Sequence, residues 1–210
     1  MRSLITISLL GFAACASSPP EGPAVPSSVR ARLAQTTKLL VSAPDSTGTL
    51  TASRYTNGGW QDGTIAVSIA NGELGAVAGA TGNLTLGAFS LNVAPIDVPS
   101  SVFGKPAQLK DVRLVMTGKP TVATTWSDDD DATATASVTL DLSWTLAVDG
   151  NAAPLGTQHL GPLPVAITLS GSGSEVDANI SVHATGDLWT WADLVKLTAL
   201  DLELVATTNY

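Results

Sequence analysis

The chain of 210 residues is long enough for one domain of ordinary size with some additional terminal sequence. Hydrophobic residues make up 44% of it and charged residues 13%, which allows a core and excludes the class of disordered chains. Aromatic residues are scarce at 5%, whereas Gly, Ala, Thr, Ser and Val are common. This composition favours short strands and tight turns over long helices.

The formal net charge of −8 is unevenly distributed along the chain. Residues 121–210 contain one basic residue, Lys196, against 12 Asp and Glu residues, so their net charge is −11. An acidic surface of this kind repels phosphate backbones, and nucleic acid is therefore not an expected partner. A solvated surface that keeps the domain soluble is the simplest interpretation.

The N-terminus has the features of an export signal. A short positive segment, Met1-Arg2-Ser3, precedes nine largely apolar residues from Leu4 to Phe12, far fewer than the roughly 20 that span a bilayer. Small residues and a cysteine follow. The run Leu10-Gly11-Phe12-Ala13-Ala14-Cys15 resembles the lipobox of bacterial lipoproteins, in which the cysteine is acylated before cleavage.

The resemblance implies a signal peptide over residues 1–14 and a lipid-anchored N-terminus at Cys15 of the mature protein, in the cell envelope. Cys15 is the only cysteine, so no intrachain disulfide can form. Lipidation would explain why an exported protein has a single cysteine at this position. Ala16 is not the Asp that commonly retains lipoproteins in the inner membrane, which favours the outer membrane. An ordinary secretory peptide cut after Ala14-Cys15-Ala16 is the alternative.

Residues 15–28 are predicted to form the lipidated cysteine and a tether. Four prolines exclude a helix or a strand ladder from this segment, at Pro19, Pro20, Pro23 and Pro26. An extended tether of this length would reach some 30–40 Å, at about 3 Å per residue.

Residues 29–47 are predicted as a lead-in that contains a short helix. Ser28 is suited to cap it, and the apolar positions follow at helical spacing. These positions are Val29, Leu33, Thr37 and Leu40. The turn-forming run that starts at Pro44 would end the helix.

From residue 48 to the C-terminus, apolar and polar residues alternate with a period of two, which predicts strands. The clearest element is Val138–Val148, with six apolar residues in strict alternation and therefore one buried and one solvated face. Asn71-Gly72 and Asp149-Gly150-Asn151 are predicted hairpin turns, and a bulge is expected at Gly87. Other predicted strands cover 49–55, 65–69, 84–93, 112–116, 163–169, 176–182 and 200–204.

Eight to ten strands joined by hairpin signals predict one antiparallel β domain over residues 48–210. A sandwich, a barrel or a strongly curved sheet would each satisfy the pattern. The favoured fold class is all-β, as an antiparallel β-sandwich or a strongly curved open sheet. A parallel sheet is disfavoured, because it would need helices between the strands.

The acidic run Asp128, Asp129, Asp130 and Asp131 is expected at a hairpin tip, between a short strand that ends at Trp126 and the long strand. Clustered carboxylates supply the hard oxygen ligands that Ca²⁺ prefers, so these residues are weak calcium candidates. The run lacks the spaced Asp-x-Asp-x-Asp-Gly pattern of a calcium loop. A solvated turn is the favoured interpretation.

The two histidines, His159 and His183, are expected as separate surface residues. A zinc site would need both of them with additional carboxylates, and nothing in their spacing brings them together. There is no Gly-x-Ser-x-Gly elbow, phosphate-binding loop or paired-carboxylate setting. No catalytic residue, cofactor or metal is therefore predicted, and the chain is not expected to be an enzyme.

Three tryptophans form a possible ligand groove. Trp189 and Trp191 are two residues apart and share one face if this segment is a strand, and Trp144 lies on the apolar face of the long strand. The alternative is that they close one end of the core.

These features favour a non-catalytic, membrane-anchored envelope lipoprotein with a binding or scaffold role for an unidentified protein or ligand. The first alternative is a carrier that holds a lipid or other hydrophobic ligand inside a curved sheet, where small inner residues would leave room. Less favoured are an envelope enzyme and a small outer-membrane barrel, the latter suggested by Tyr210 after Leu202 and Leu204.

Overall fold

The computed structural model describes residues 28–35, 37–100, 104–128, 130–172, 175–191 and 195–208. They form one helix, α1 (Val29–Arg32), and twelve strands. The strands are β1 (Thr37–Val41), β2 (Thr47–Thr56), β3 (Gly59–Ala78), β4 (Leu84–Val93), β5 (Ile96–Val98), β6 (Ala107–Thr117), β7 (Thr121–Val122), β8 (Thr124–Trp126), β9 (Ala132–Val148), β10 (Asn151–Ser172), β11 (Glu175–Trp191) and β12 (Val195–Thr207). In the described ranges, no helix has the length and apolar character needed to cross a membrane.

The strands form a single antiparallel sheet that closes on itself. The eight longer strands, β2, β3, β4, β6, β9, β10, β11 and β12, each pair with the next one along the chain. The last of them, β12, pairs with the first, β2, and so completes a ring. The four short strands pair along the edges of the longer ones. The predicted all-β, antiparallel fold with a strongly curved sheet is confirmed. The sheet was expected to stay open, but the pairing of β12 with β2 closes it.

The interior of the closed sheet is packed with apolar side chains. Along β9, every second residue from Ala132 to Leu146 is buried, and the residues between them face outward. Among the described core residues there are small voids, three of which have volumes of about 20, 30 and 20 Å³. Each is close to the space that one or two water molecules need. An eight-stranded closed sheet is just wide enough for its own side chains, and here they fill it.

Helix α1 covers one end of the closed sheet, called here the α1 end. Val29 and Leu33 are buried, and the Leu33 carbonyl accepts a hydrogen bond from the Ala78 amide at 2.6 Å. Val29 packs against Gly171 in β10, where any Cβ would collide with the valine side chain. A helix of four residues is not stable alone, so these contacts hold it in place.

The structure corrects the extent of the predicted helix. The capping role of Ser28 is confirmed, since its Oγ accepts from the Ala31 amide at 3.2 Å, but the helix ends at Arg32. Thr37–Val41 forms β1, which pairs with β3 and β12 and alternates between buried and exposed residues. Thr37 and Leu40 have helical spacing but lie in a strand, because backbone pairing with β3 and β12 on both sides stabilises the extended conformation.

The predicted hairpin turn at Asn71-Gly72 is wrong, because β3 continues through these residues to Ala78. A Cβ at Gly72 would lie 2.7 Å from Leu91 Cδ1 and 3.0 Å from Val41 Cγ2. The glycine therefore allows close packing between strands instead of a turn.

Two other local predictions are confirmed. The pairing of β3 with β4 slips between Leu74 opposite Phe89 and Ala76 opposite Leu86, which places the expected bulge around Gly87. The turn after β9 has positive φ at Asp149 (51°) and Gly150 (79°), as a two-residue hairpin connection requires.

Truncation of Leu140 tests the packed interior. Leu140 is 1% exposed and borders one of the voids. We expect Leu140→Ala to lower the free energy of unfolding by about 2–5 kcal/mol, because it removes buried methyl groups and enlarges a cavity. Thr135→Ala, at an outward position of the same strand, should change it by roughly 0.5 kcal/mol or less. Urea unfolding followed by tryptophan fluorescence measures both, and equal losses would contradict the inward and outward assignment.

Candidate functional site

The ring of strands is open along part of the boundary between β10 and β11. Their ladder pairs Val165–Ser172 with Glu175–Val182 and ends there, although both strands continue. Within the described residues, the part of β10 before Val165 pairs only with β9, and the part of β11 after Val182 pairs only with β12. Two strand edges therefore face each other without a ladder between them.

A groove occupies this opening, and we call it the seam groove. Its walls come from residues 159 and 161–164 of β10 and from residues 183–185, 187 and 188 of β11. Its volume is about 660 Å³, within the range of roughly 300–1,000 Å³ that is usual for ligand sites. Leu163 and Ala184 are buried and form its floor, and the more polar side chains lie along its rim.

Two histidines border the seam groove, and each is held by a carboxylate from the neighbouring hairpin strand. His159 Nδ1 lies 2.5 Å from Asp141 Oδ1, and His183 Nδ1 contacts Asp201 Oδ1. In both pairs the histidine and the aspartate are directly opposite each other across a ladder. In each pair the histidine Nδ1 and the carboxylate oxygen lie within hydrogen-bonding distance, so the aspartate fixes the position of the imidazole ring at the groove.

The expected surface location of both histidines is confirmed, with side chains 74% and 73% exposed. Their position on opposite walls of one groove was not predicted. Across the residues that the structure describes, no group of three or more His, Cys, Asp or Glu side chains is arranged to hold a metal ion.

A second feature of the outer wall is a pair of exposed aromatic side chains. Tyr55 and Trp60 flank the β2–β3 turn, remain 51% and 44% exposed, and contact each other edge to face at 5.5 Å. Lys196 Nζ lies 5.0 Å from the centroid of the Trp60 ring. We call Tyr55, Trp60 and Lys196 the aromatic patch. The patch was not predicted from the sequence, although Tyr55 and Trp60 lie close to Asn57-Gly58-Gly59, a run of residue types that favours a turn.

Asp187 joins the aromatic patch to the seam groove. Its carboxylate accepts a hydrogen bond from Lys196 Nζ at 2.7 Å, and its side chain also lines the groove. The outer wall thus carries one continuous surface that extends from β10 across β11, β12 and β2 to β3. Large exposed aromatic side chains in such a setting are typical of interaction surfaces.

One ion pair fastens the turn after β9. Asp149 accepts a hydrogen bond from Lys105 Nζ at 2.8 Å, and this bond together with the charge of the carboxylate raises the pKa of the Lys105 ammonium. Both side chains are largely exposed, so the pair organises the surface without entering the core.

The predicted tryptophan groove is only partly described. Trp144 is 6% exposed and points into the closed sheet, where it borders two of the small voids, so it does not line an accessible groove. The alternation of β9 places it inside. The backbones of Trp189 and Trp191 pair with Leu197 and Val195, and their side chains lie outside the described part of the structure.

Asp128, Asp130 and Asp131 of the acidic run lie at the predicted hairpin tip between β8 and β9. Asp128 Oδ1 accepts hydrogen bonds from the amides of Asp130 and Asp131 at 2.7 and 2.8 Å, which closes the turn. Asp130 Oδ1 accepts from the Val29 amide at 3.0 Å and so caps α1. Asp129 and Cys15 lie outside the described residues. Calcium binding remains a prediction, and these contacts give two of its carboxylates a structural role.

Trp126 strengthens the same contact between the turn and α1. Its Nε1 donates to the Gly82 carbonyl at 2.8 Å, and the Arg30 guanidinium lies 5.8 Å from the ring centroid. The helix is thus attached to the β3–β4 turn and to the β8–β9 turn.

No protein-family model matches this chain, and a search of curated proteins finds no match to it. The function is therefore inferred from the residues and surfaces of this chain.

The capping contact of Asp130 can be tested by substitution. Asp130→Ala should lower the free energy of unfolding by about 0.5–2 kcal/mol, as for the loss of a helix cap. It should also speed hydrogen exchange at the Arg32 and Leu33 amides, which bond within the helix. Asp131→Ala is the matched control, because only the backbone of Asp131 participates in the turn contacts. Equal effects of the two substitutions would contradict the capping role.

Proposed function

We propose that this chain is a lipid-anchored lipoprotein of the bacterial cell envelope whose closed sheet is a non-catalytic binding or scaffold domain. Support for the anchor comes from the lipobox-like run that ends at Cys15 and from the Pro-rich tether behind it. Ala16 favours the outer membrane as the location. The membrane is one partner in this proposal, and a protein or ligand bound by the domain is the other.

The observation that supports a binding role is that the interior of the closed sheet is filled, whereas its outer surface contains the seam groove. The described voids inside total less volume than a ligand site usually has, whereas the seam groove alone offers about 660 Å³. A carrier that encloses an acyl chain finds no support in that packing. Binding through the outer wall is therefore favoured over transport of a hydrophobic ligand within the sheet.

The position of the chain entry agrees with this proposal. The segment that would hold the tether precedes Ser28 and therefore joins the domain at the α1 end. The aromatic patch flanks the β2–β3 turn, at the opposite end of the ring. An anchor at Cys15 would leave that surface directed away from the membrane that carries the protein.

The outward face of the strands also suits a domain surrounded by water. Outward residues of β9 alternate with buried ones and are Thr133, Thr135, Ser137, Thr139, Asp141, Ser143 and Thr145. Hydroxyl and carboxylate groups at these positions would be hydrated in the envelope.

Lipidation at Cys15 is the first test. Wild-type protein expressed in a bacterial host should incorporate labelled palmitate and fractionate with membranes. Cys15→Ser should lose the label and leave the membrane fraction, because the acylated sulfur is absent. Ser17→Ala, two residues away, should keep both properties. A wild-type protein that takes up no label would overturn the anchor.

The binding role is tested by placing a photo-cross-linking amino acid on the outer wall. Substituted at Tyr55, it should yield a discrete adduct in intact envelopes, because this position belongs to the proposed binding surface. Substituted at Arg113, an exposed position on β6 across the ring, it should not. No adduct at Tyr55, or the same adducts at both positions, would contradict the role.

A further inference from the structure

The seam groove presents two unpaired strand edges of six residues each, 159–164 and 183–188. Backbone N–H and C=O groups on such an edge need partners and form a template for another extended chain. At about 3.3 Å per residue, six residues span roughly 20 Å of chain. The groove thus has the length and the backbone chemistry to accept a short extended peptide.

The β10 edge is poor in donors, which explains why it does not pair with β11. Pro162 and Pro164 carry no backbone N–H, so neither can donate to a ladder, but their carbonyls can still accept. The pairing of β10 with β9 also slips between Leu160 and Leu163, and that of β11 with β12 slips between Thr185 and Trp189. The two edges therefore do not match each other, while acceptors remain exposed along the groove.

The side chains around the seam groove add further acceptors and negative charge. Asp141 and Asp201 lie directly behind the two histidines of the rim, and Asp187 lies on the β11 wall. Lys196 contacts the Asp187 carboxylate and is the only Lys or Arg in residues 121–210. The best complement to such a site is elongated, rich in hydrogen-bond donors and positively charged.

We propose that the seam groove binds an extended, basic peptide segment of a partner protein. The peptide adds as a strand, its amides donate to the β10 and β11 carbonyls, and its Lys or Arg side chains reach Asp141, Asp187 and Asp201. Alternate apolar side chains of the peptide pack on the groove floor, at Leu163 and Ala184. This inference rests on the proposed binding role and specifies the class of partner.

The test uses the full-length protein in detergent micelles, with EDTA present to remove metal ions. Three six-residue probes are titrated by calorimetry: alternating lysine and valine, alternating glutamate and valine, and the lysine–valine peptide with alternate backbone nitrogens methylated. The first should bind saturably and should bind less tightly as salt increases, because the attraction is partly between exposed charges. The second should not bind. Methylation should weaken binding about tenfold or more, since it removes the backbone donors.

Variants locate the site. Asp187→Asn and Asp141→Asn should each weaken the lysine–valine peptide by about two- to fivefold, as expected for exposed charge pairs. Asp97→Asn is the matched control, because Asp97 is an exposed carboxylate on β5, away from the groove. Hydrogen exchange should slow in 183–188 when the peptide is bound and should not change in β4.

Three results would overturn the inference: no binding of the lysine–valine peptide, equal binding of the glutamate–valine peptide, or equal loss of affinity from Asp97→Asn. If an envelope adduct still forms at Tyr55 in any of these cases, the seam groove assignment fails and the binding role stands. If the adduct is also missing, the proposed function fails with it.

Discussion

The requirement that every strand find a partner on both sides governs this fold. Eight strands satisfy it along most of their length by returning to their starting point, so most backbone donors and acceptors of the sheet are paired within the ring, and the seam groove is the stretch where β10 and β11 do not pair with each other. Closing the sheet also creates an interior. Because successive side chains of a strand point to opposite faces, the apolar residues at every second position point into that interior. The packed core, the end cover by α1 and the polar outer face all follow from that arrangement.

The local pattern of the sequence predicted the elements that depend on their own residues. Val138–Val148 alternates strictly and lies within a strand, β9, that is buried on one face, and Asp149-Gly150 forms the turn that its residue types favour. Predictions failed where distant neighbours decide the conformation. Gly72 lies within a strand because β4 pairs with it, and Leu91 and Val41 leave no space for a side chain there. Thr37–Val41 is extended because β3 and β12 pair with it.

The candidate site shows the same division. The sequence indicated that His159 and His183 lie at the surface, but their place on one groove depends on where the β10–β11 ladder stops. Pro162 and Pro164 were the sequence feature that could have indicated where this ladder ends, since prolines in a strand have no backbone N–H to donate and are found at sheet edges. The aspartate opposite each histidine follows only from strand register, which a single sequence does not define. The Tyr55–Trp60 contact likewise required the β2–β3 pairing.

The attachment of α1 has a mechanical consequence. A force applied through the chain ahead of Ser28 arrives first at a helix of one turn, held mainly by the Val29 amide, the Leu33 carbonyl and the two buried apolar side chains of Val29 and Leu33. The ladder between β1 and β3 comes next in the chain, and the long ladders lie behind both. The force would therefore detach α1 before it reached the ladders of the closed sheet, so the outer wall would keep its structure while the N-terminus was pulled.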